Sequence, residues 1–100
     1  MMRVLAKSTL RGFWTSEPRY ADAESPMSAW HAVCLRAEWR TPADVKATFG
    51  SVSFVGKNVV FNVAGNKYRI VGNIDYRRQA IFVKFVGTHV QYDAVDVGAL

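Results

Sequence analysis

Cysteine is nearly absent from this sequence. Cys34 stands alone among 100 residues, so no internal disulfide can form. A thiolate zinc site, which needs several Cys or Cys with His at close spacing, also lacks its ligands. A lone thiol fits a reducing compartment. Long apolar runs are missing too: nothing approaches the roughly 18 consecutive apolar residues of a membrane span. The opening MMRVLAKSTL has no extended apolar stretch and no small-residue cleavage site, so it does not read as a signal peptide. The expectation is a cytoplasmic protein with no membrane partner. Carboxylates are scarce where cations gather. From Lys46 to Tyr92, Asp75 alone faces Lys46, Lys57, Lys67, Arg69, Arg77, Arg78 and Lys84. The chain as a whole carries +5 with a pI near 9.7, so all of the excess lies in this stretch and the rest of the chain is close to neutral. A concentrated positive field points to an anionic partner, with nucleic acid first among the candidates.

What is present is a foldable mixture. Half the residues are hydrophobic and 13% aromatic, enough for a packed core and too apolar for a disordered chain. One hundred residues is the size of one domain, expected over residues 1–100. Met2 to Leu5 reads as a short strand. Ser8 is placed to cap a helix with Leu10, Phe13 and Trp14 on one face. Ser16 to Ser25, with Pro18 and small polar residues, reads as a loop. Ser25-Pro26 is a hydroxyl followed by a helix-starting proline. After it Met27, Trp30, Val33, Cys34 and Ala37 keep the rhythm of a buried stripe. Thr41-Pro42-Ala43-Asp44 repeats the start signal in a form close to a capping box, for a helix from Pro42 to Thr48 closed by Gly50.

The period then changes. Ser51–Val55, Val59–Val63, Tyr68–Ile74 and Ile81–Val86 are rich in β-branched and aromatic residues and are joined by short polar turns, so they predict an antiparallel meander. Thr88 is placed to cap a last helix over His89–Ala94, and Asp96–Leu100 reads as a frayed tail. The layout is α+β: N-terminal helices on one face of a small antiparallel sheet, a short C-terminal helix, and the other sheet face left for solvent or a partner. Alternation along Lys67–Ile74 sends Tyr68, Ile70 and Ile74 one way, and Lys67, Arg69 and Asn73 the other.

Three segments together resemble one family. Phe61-Asn62-Val63-Ala64-Gly65-Asn66-Lys67-Tyr68-Arg69-Ile70-Val71 is similar to the central signature of the HigB-type toxins. Phe85-Val86-Gly87-Thr88-His89-Val90-Gln91-Tyr92-Asp93 resembles their C-terminal signature, in which Thr-His precedes Tyr-Asp. Trp39 to Ala47 looks like their pre-sheet helix. The resemblance implies a RelE-like fold and the toxin of a type II toxin–antitoxin system. It further implies an endoribonuclease (an mRNA interferase) that cuts messenger RNA during translation on the ribosome. The implied partner is a HigA-type helix-turn-helix antitoxin. No cofactor or metal is implied. Residues 46–92 by themselves speak only for an anionic partner, which a non-catalytic RNA- or ribosome-binding module would meet equally well.

RNA can be cut without a metal. The 2′-hydroxyl attacks the adjacent phosphorus and the 5′-oxygen leaves. This needs a base, an acid, and cations for the charge that builds on the phosphate. His89 is the leading acid–base candidate, because an imidazole titrates near pH 6.5; on residue type alone it is also an ordinary helix-start histidine. Tyr92, three residues on, shares its helix face and offers a stacking ring or a proton; a core or surface tyrosine is the plain alternative. Arg69 offers a bidentate phosphate grip. Lys84, unexpected between apolar strand residues, is either an edge gatekeeper or a phosphate contact. These four form the candidate catalytic set. Lys67, Lys57, Lys46 and Asn62 are the candidate RNA contacts, each with a bland reading as a solvated charge or, for Asn62, a backbone bond. Asn66 is explained by its turn and His31 by a helix surface. Trp14, Trp30 and Trp39 are expected to pack helices, not to stack bases.

Overall fold

The computed structural model describes residues 1–100. In chain order the elements are β1 (Arg3–Leu5), α1 (Lys7–Ser16), a 3-10 segment (Pro18–Ala23), α2 (Glu24–Arg36) and α3 (Pro42–Thr48). There follow β2 (Ser53–Val55), β3 (Asn58–Val63), β4 (Tyr68–Asp75), β5 (Ala80–Thr88), α4 (His89–Asp93) and a closing 3-10 turn (Val97–Ala99). The architecture is α+β, and β2 to β5 form the expected antiparallel meander. The N-terminal strand adds a feature. β1 pairs with β5 in parallel, Arg3 opposite Ala80 and Leu5 opposite Phe82, so the five-stranded sheet is mixed, in the order β1-β5-β4-β3-β2. All three long-sequence helices lie between β1 and the meander, and a connection that long permits parallel pairing.

The core sits between the helices and one face of the sheet. Leu10 and Trp14 of α1, Met27, Trp30 and Cys34 of α2, and Val45 of α3 pack with Trp39 against Val59, Phe61, Ile70, Ile74 and Ile81. Trp30 meets Phe61 edge-on at 5.2 Å between ring centres, and Trp39 lies against the same ring at 6.4 Å. All three tryptophans are therefore core residues. Burying a side chain of this kind stabilises by about 1.5–3 kcal/mol. Burial also pushes the Cys34 thiol up, away from its reactive form.

Several local expectations are corrected. Ser8 caps nothing: α1 starts after Ala6, which makes no side-chain cap bond. Ser16–Ser25 is not a loop but largely the 3-10 segment. Tyr20 and Ala23 are buried there, and Tyr20 stacks on Phe13 at 4.5 Å, a tertiary contact that local composition does not announce. α2 begins at Glu24, ahead of Ser25-Pro26. Pro26 is tolerated because first-turn N–H groups have no helical partner anyway. α3 closes on Phe49, whose N–H donates to the Val45 carbonyl, and not on Gly50. The Thr41/Asp44 capping box is complete.

The tail is the largest correction. Asp96–Leu100 is not frayed but folds over the second sheet face. Val97 packs there with Val60 and Val71, joined by Val55, Phe85, Tyr92 and Leu100. The buried Asn58 amide donates to the Val97 carbonyl at 3.0 Å. Apolar residues at the outward positions of β3 and β4 cannot be left wet, so the second face needs a cover of its own.

Candidate active site

Arg69 is placed by strand alternation. Its neighbours Tyr68 and Ile70 point into the main core, and Arg69 points to the second face opposite Asn62 on β3 and Gly87 on β5. It is 8% exposed and has no carboxylate within salt-bridge reach. Both of its hydrogen bonds run through Nη1, to the carbonyls of Asn66 (3.0 Å) and Tyr68 (3.2 Å). Nε and Nη2 are left without an intramolecular partner. A nearly buried cation with no counter-charge costs stability, which makes Arg69 a candidate anion contact.

Tyr92 faces it. The Arg69 guanidinium carbon lies 5.8 Å from the centre of the Tyr92 ring. α4, which carries Tyr92, is anchored at its start. The Thr88 hydroxyl accepts from the Gln91 N–H at 3.1 Å, and the Gln91 side chain accepts from the Thr88 N–H at 2.9 Å. The His89 N–H donates to the Lys67 carbonyl at 3.1 Å, which ties the helix to the β3–β4 turn. Gln91 also donates to the Tyr20 hydroxyl, at 3.3 Å. A Cβ on Gly87 would lie 2.6 Å from the Phe85 ring and 2.8 Å from the Gln91 side-chain oxygen. Only glycine lets β5 approach the cap this closely.

His89 is half exposed, with Nδ1 3.3 Å from a carboxylate oxygen of Asp93 one helical turn on. Arg69 with Tyr92, and His89 with Asp93, are thus two pairs linked through α4 at this end of the sheet; the recess that His89 lines is bordered by Tyr20 and Tyr68 and includes neither Arg69 nor Tyr92. From sequence Asp93 reads as a helix-surface acid or as a group that orients a neighbour; its i, i+4 spacing from His89 fits the second.

Lys67 departs from the expected cationic row. It lies in the turn before β4, where strand alternation does not yet apply, and its ammonium pairs with Asp22 of the 3-10 segment. The Tyr68 hydroxyl donates to the same carboxylate. These bonds, first that from Lys67, hold the Asp22 carboxyl below its usual range; Asp22 in turn raises Lys67. Burial, and then Asp22, push the Tyr68 hydroxyl up. Asp22 carried no recognisable signal, because its partners are 45 and 46 residues away. Lys67 and His89 still line one recess, with Arg19, Tyr20, Thr88 and Val90.

The remaining candidates are scattered. Asn62 sits across from Arg69, and its amide donates to the Ser51 carbonyl at 3.4 Å, which gives it a structural role. Lys84 is the extra residue of a β-bulge: Phe85 pairs with Val71 and Val83 with Gly72. It is exposed on β5 beyond Phe82, where β1 has stopped. Lys57 is in the β2–β3 turn, next to Asn58, which pairs with Asn73 at the other end of β4 from Arg69. Lys46, on α3, donates to the Val52 carbonyl at 3.4 Å. Neither lysine joins Arg69. No helix of the chain is long and apolar enough to cross a membrane.

Comparison with known proteins bears on this site. The model of a toxin family, described as the HigB toxin, RelE-like toxic component of a toxin–antitoxin system, matches residues 23–95. The chain is 28% identical over 78 residues to the mRNA interferase toxin HigB of Escherichia coli (strain K12), which covers 75% of each protein. The mRNA interferase HigB of Shigella flexneri shows the same identity and coverage. The matched span includes Arg69, the capping box of α4 and the residues on it.

Proposed function

Because the chain belongs to the HigB family of RelE-like toxins of toxin–antitoxin systems, we propose that it is an mRNA interferase working through the Arg69–Tyr92–His89 end of the sheet. Membership implies an antitoxin partner. In this reading the antitoxin is HigA-type, with a helix-turn-helix, and the substrate is message under translation on the ribosome.

The observation that carries the reading is the nearly buried guanidinium of Arg69 without a carboxylate. Its free Nε and Nη2 grip the non-bridging oxygens of the scissile phosphate and offset the charge that grows on them. Asp93 accepts the Nδ1 proton of His89 and leaves Nε2 to face the substrate. An imidazole so oriented takes the proton of the 2′-hydroxyl as that oxygen attacks phosphorus. Tyr92 stacks on a flanking base or returns a proton to the departing 5′-oxygen. The products are a 2′,3′-cyclic phosphate and a 5′-hydroxyl end. Exposed Lys84 is the remaining catalytic-set candidate, as a phosphate contact approached from the free edge of β5. Lys67, released from Asp22 by an RNA phosphate, contacts the strand near the same helix.

The test is incubation of the protein with a ribosome–message complex in the presence of a chelator. Message cut to cyclic-phosphate ends, and loss of cutting in Arg69→Ala and His89→Ala, is the expected result. Message retained but intact would replace the enzyme with a binding module.

A further inference from the structure

At the opposite end of the β4–β5 hairpin from Arg69 lies a second cationic feature that the cleavage site does not use. Tyr76, Arg77 and Gln79 of the hairpin turn, together with Glu38 and Arg40, line an open recess of about 450 Å³. The recess is rigidly built. Gln79 takes a left-handed backbone conformation (φ 54°). Its side-chain amide donates to the carbonyls of Trp39 (2.6 Å) and Tyr76 (2.7 Å). These bonds fasten the turn to the segment that carries Glu38 and Arg40. Arg40 and Arg77 are exposed and pair with no carboxylate. Glu38, the one acid of the recess, lies 3.9 Å from the N-terminal amine. Arg78, next in the turn, is already occupied by Asp75 at 3.8 Å. Two exposed arginines without an ion pair therefore border one concavity, with Tyr76 and Met1.

We propose that this recess is a second RNA contact, in which Arg40 and Arg77 hold a backbone phosphate of a strand that extends away from the cleavage end. Guanidinium forks match phosphate oxygens bidentately, and half or more of protein–nucleic acid bonds serve to set register in this way. The eight residues of β4, at about 3.3 Å each, separate the two ends by roughly 23 Å. The strand must therefore run several nucleotides beyond the cut, or belong to ribosomal RNA alongside it. The inference rests on the reading of the protein as an RNA-directed toxin, but its test does not require cleavage.

The probe is a 2′-O-methyl RNA 20-mer, which has no free 2′-hydroxyl and cannot be cut. Arg40→Ala/Arg77→Ala is compared with the parent and with Lys7→Ala/Arg11→Ala, which removes the same charge from α1. The expected result is a tenfold loss of affinity confined to the recess variant. The log–log salt slope is expected to become shallower by about 0.7, the value for one single-strand phosphate contact. A 2′-O-methyl trinucleotide, too short to reach both ends, keeps its affinity. Co-sedimentation with message-free ribosomes distinguishes the sources. Loss there with an unchanged 20-mer assigns the phosphate to ribosomal RNA, and loss on the 20-mer assigns it to the message strand. Unchanged binding in both assays, or equal losses in the α1 variant or on the trinucleotide, overturns the proposal. If the parent binds as described but cuts no message, the cleavage reading fails and this one stands.

Discussion

Arg69 and Tyr92 meet across two elements, strand β4 and helix α4, with the guanidinium carbon 5.8 Å from the ring centre. The contact places an unpaired cation beside a hydrophobic cluster whose buried members are Val60, Val71 and Val97. In the proposed reading, the cost of keeping that charge there serves binding, not folding.

Arg69→Met should therefore separate the two properties. Loss of the phosphate grip removes about 10²–10³-fold of the cleavage rate. Stability stays within about 1 kcal/mol of the parent or rises, because a buried unpaired charge has been replaced by an apolar chain of similar length. Thermal unfolding and cleavage assays on the same preparation check both. A large loss of stability together with unimpaired cleavage would make Arg69 a structural residue.

Asp93 and His89 make a second separable pair. Asp93→Asn keeps the size of the side chain but weakens its hold on Nδ1, so cleavage slows while RNA binding is unaltered. His89→Ala removes the acid–base group itself and costs more, about 10²-fold or beyond. Single-turnover cleavage at saturating RNA measures both. Equal rates for Asp93→Asn and the parent would reduce Asp93 to a surface acid.

The limits of sequence reading can be traced residue by residue. Features written into a local period or cap were legible: the meander, the α3 capping box, the Thr88 start of α4 and the outward side of Arg69. Those that depend on contacts distant in sequence were not. Tyr20 orders the 3-10 segment by stacking on Phe13 and reaching Gln91, and no local pattern requires it. Lys67 had the right type for an RNA contact, but alternation was extended one residue too far, into the turn, where Asp22 claims it. Asp96–Leu100 looks frayed in sequence because its apolar residues have no period; they answer to Val60 and Val71 on strands far earlier in the chain. Of the candidate site, the Thr-His and Tyr-Asp pairs were visible as motifs. That Asp93 orients a neighbour is one of its two readings from sequence, and the helix makes that neighbour His89.

Gly87→Ala is expected to loosen the start of α4. The new methyl group would displace the Phe85 ring and the Gln91 oxygen that closes the capping box. Loss of such a cap costs about 1 kcal/mol. The larger effect falls on cleavage, because Tyr92 and His89 ride on that helix. Faster amide exchange at Gln91 and Tyr92, with the core strands unchanged, is the signature. Exchange and activity equal to the parent would show that Phe85 has room to move aside.

The Asp22–Lys67 pair sets a pH window. Asp22 is held below its ordinary value of 3.8, first by the bond from Lys67 and then by that from Tyr68. A carboxyl depressed on folding stabilises above its unfolded value and loses that contribution as pH falls through the folded value. Lys67 is raised above 10.5 by the same partner, so its contribution is complete below that value and fades as pH climbs through the folded one. Between these limits Asp22→Asn should lower the melting temperature relative to the parent. As pH falls below 3.8 and through the lowered folded value, the two curves should converge, because the parent carboxyl becomes protonated as well. The difference should also shrink with added salt, since both side chains are more than half exposed. Melting curves from acid to neutral pH decide the matter. A gap that persists undiminished at the acid end would mean that the Tyr68 hydroxyl, which can bond a neutral carboxyl as well as a charged one, holds the 3-10 segment against β4 without help from the ion pair.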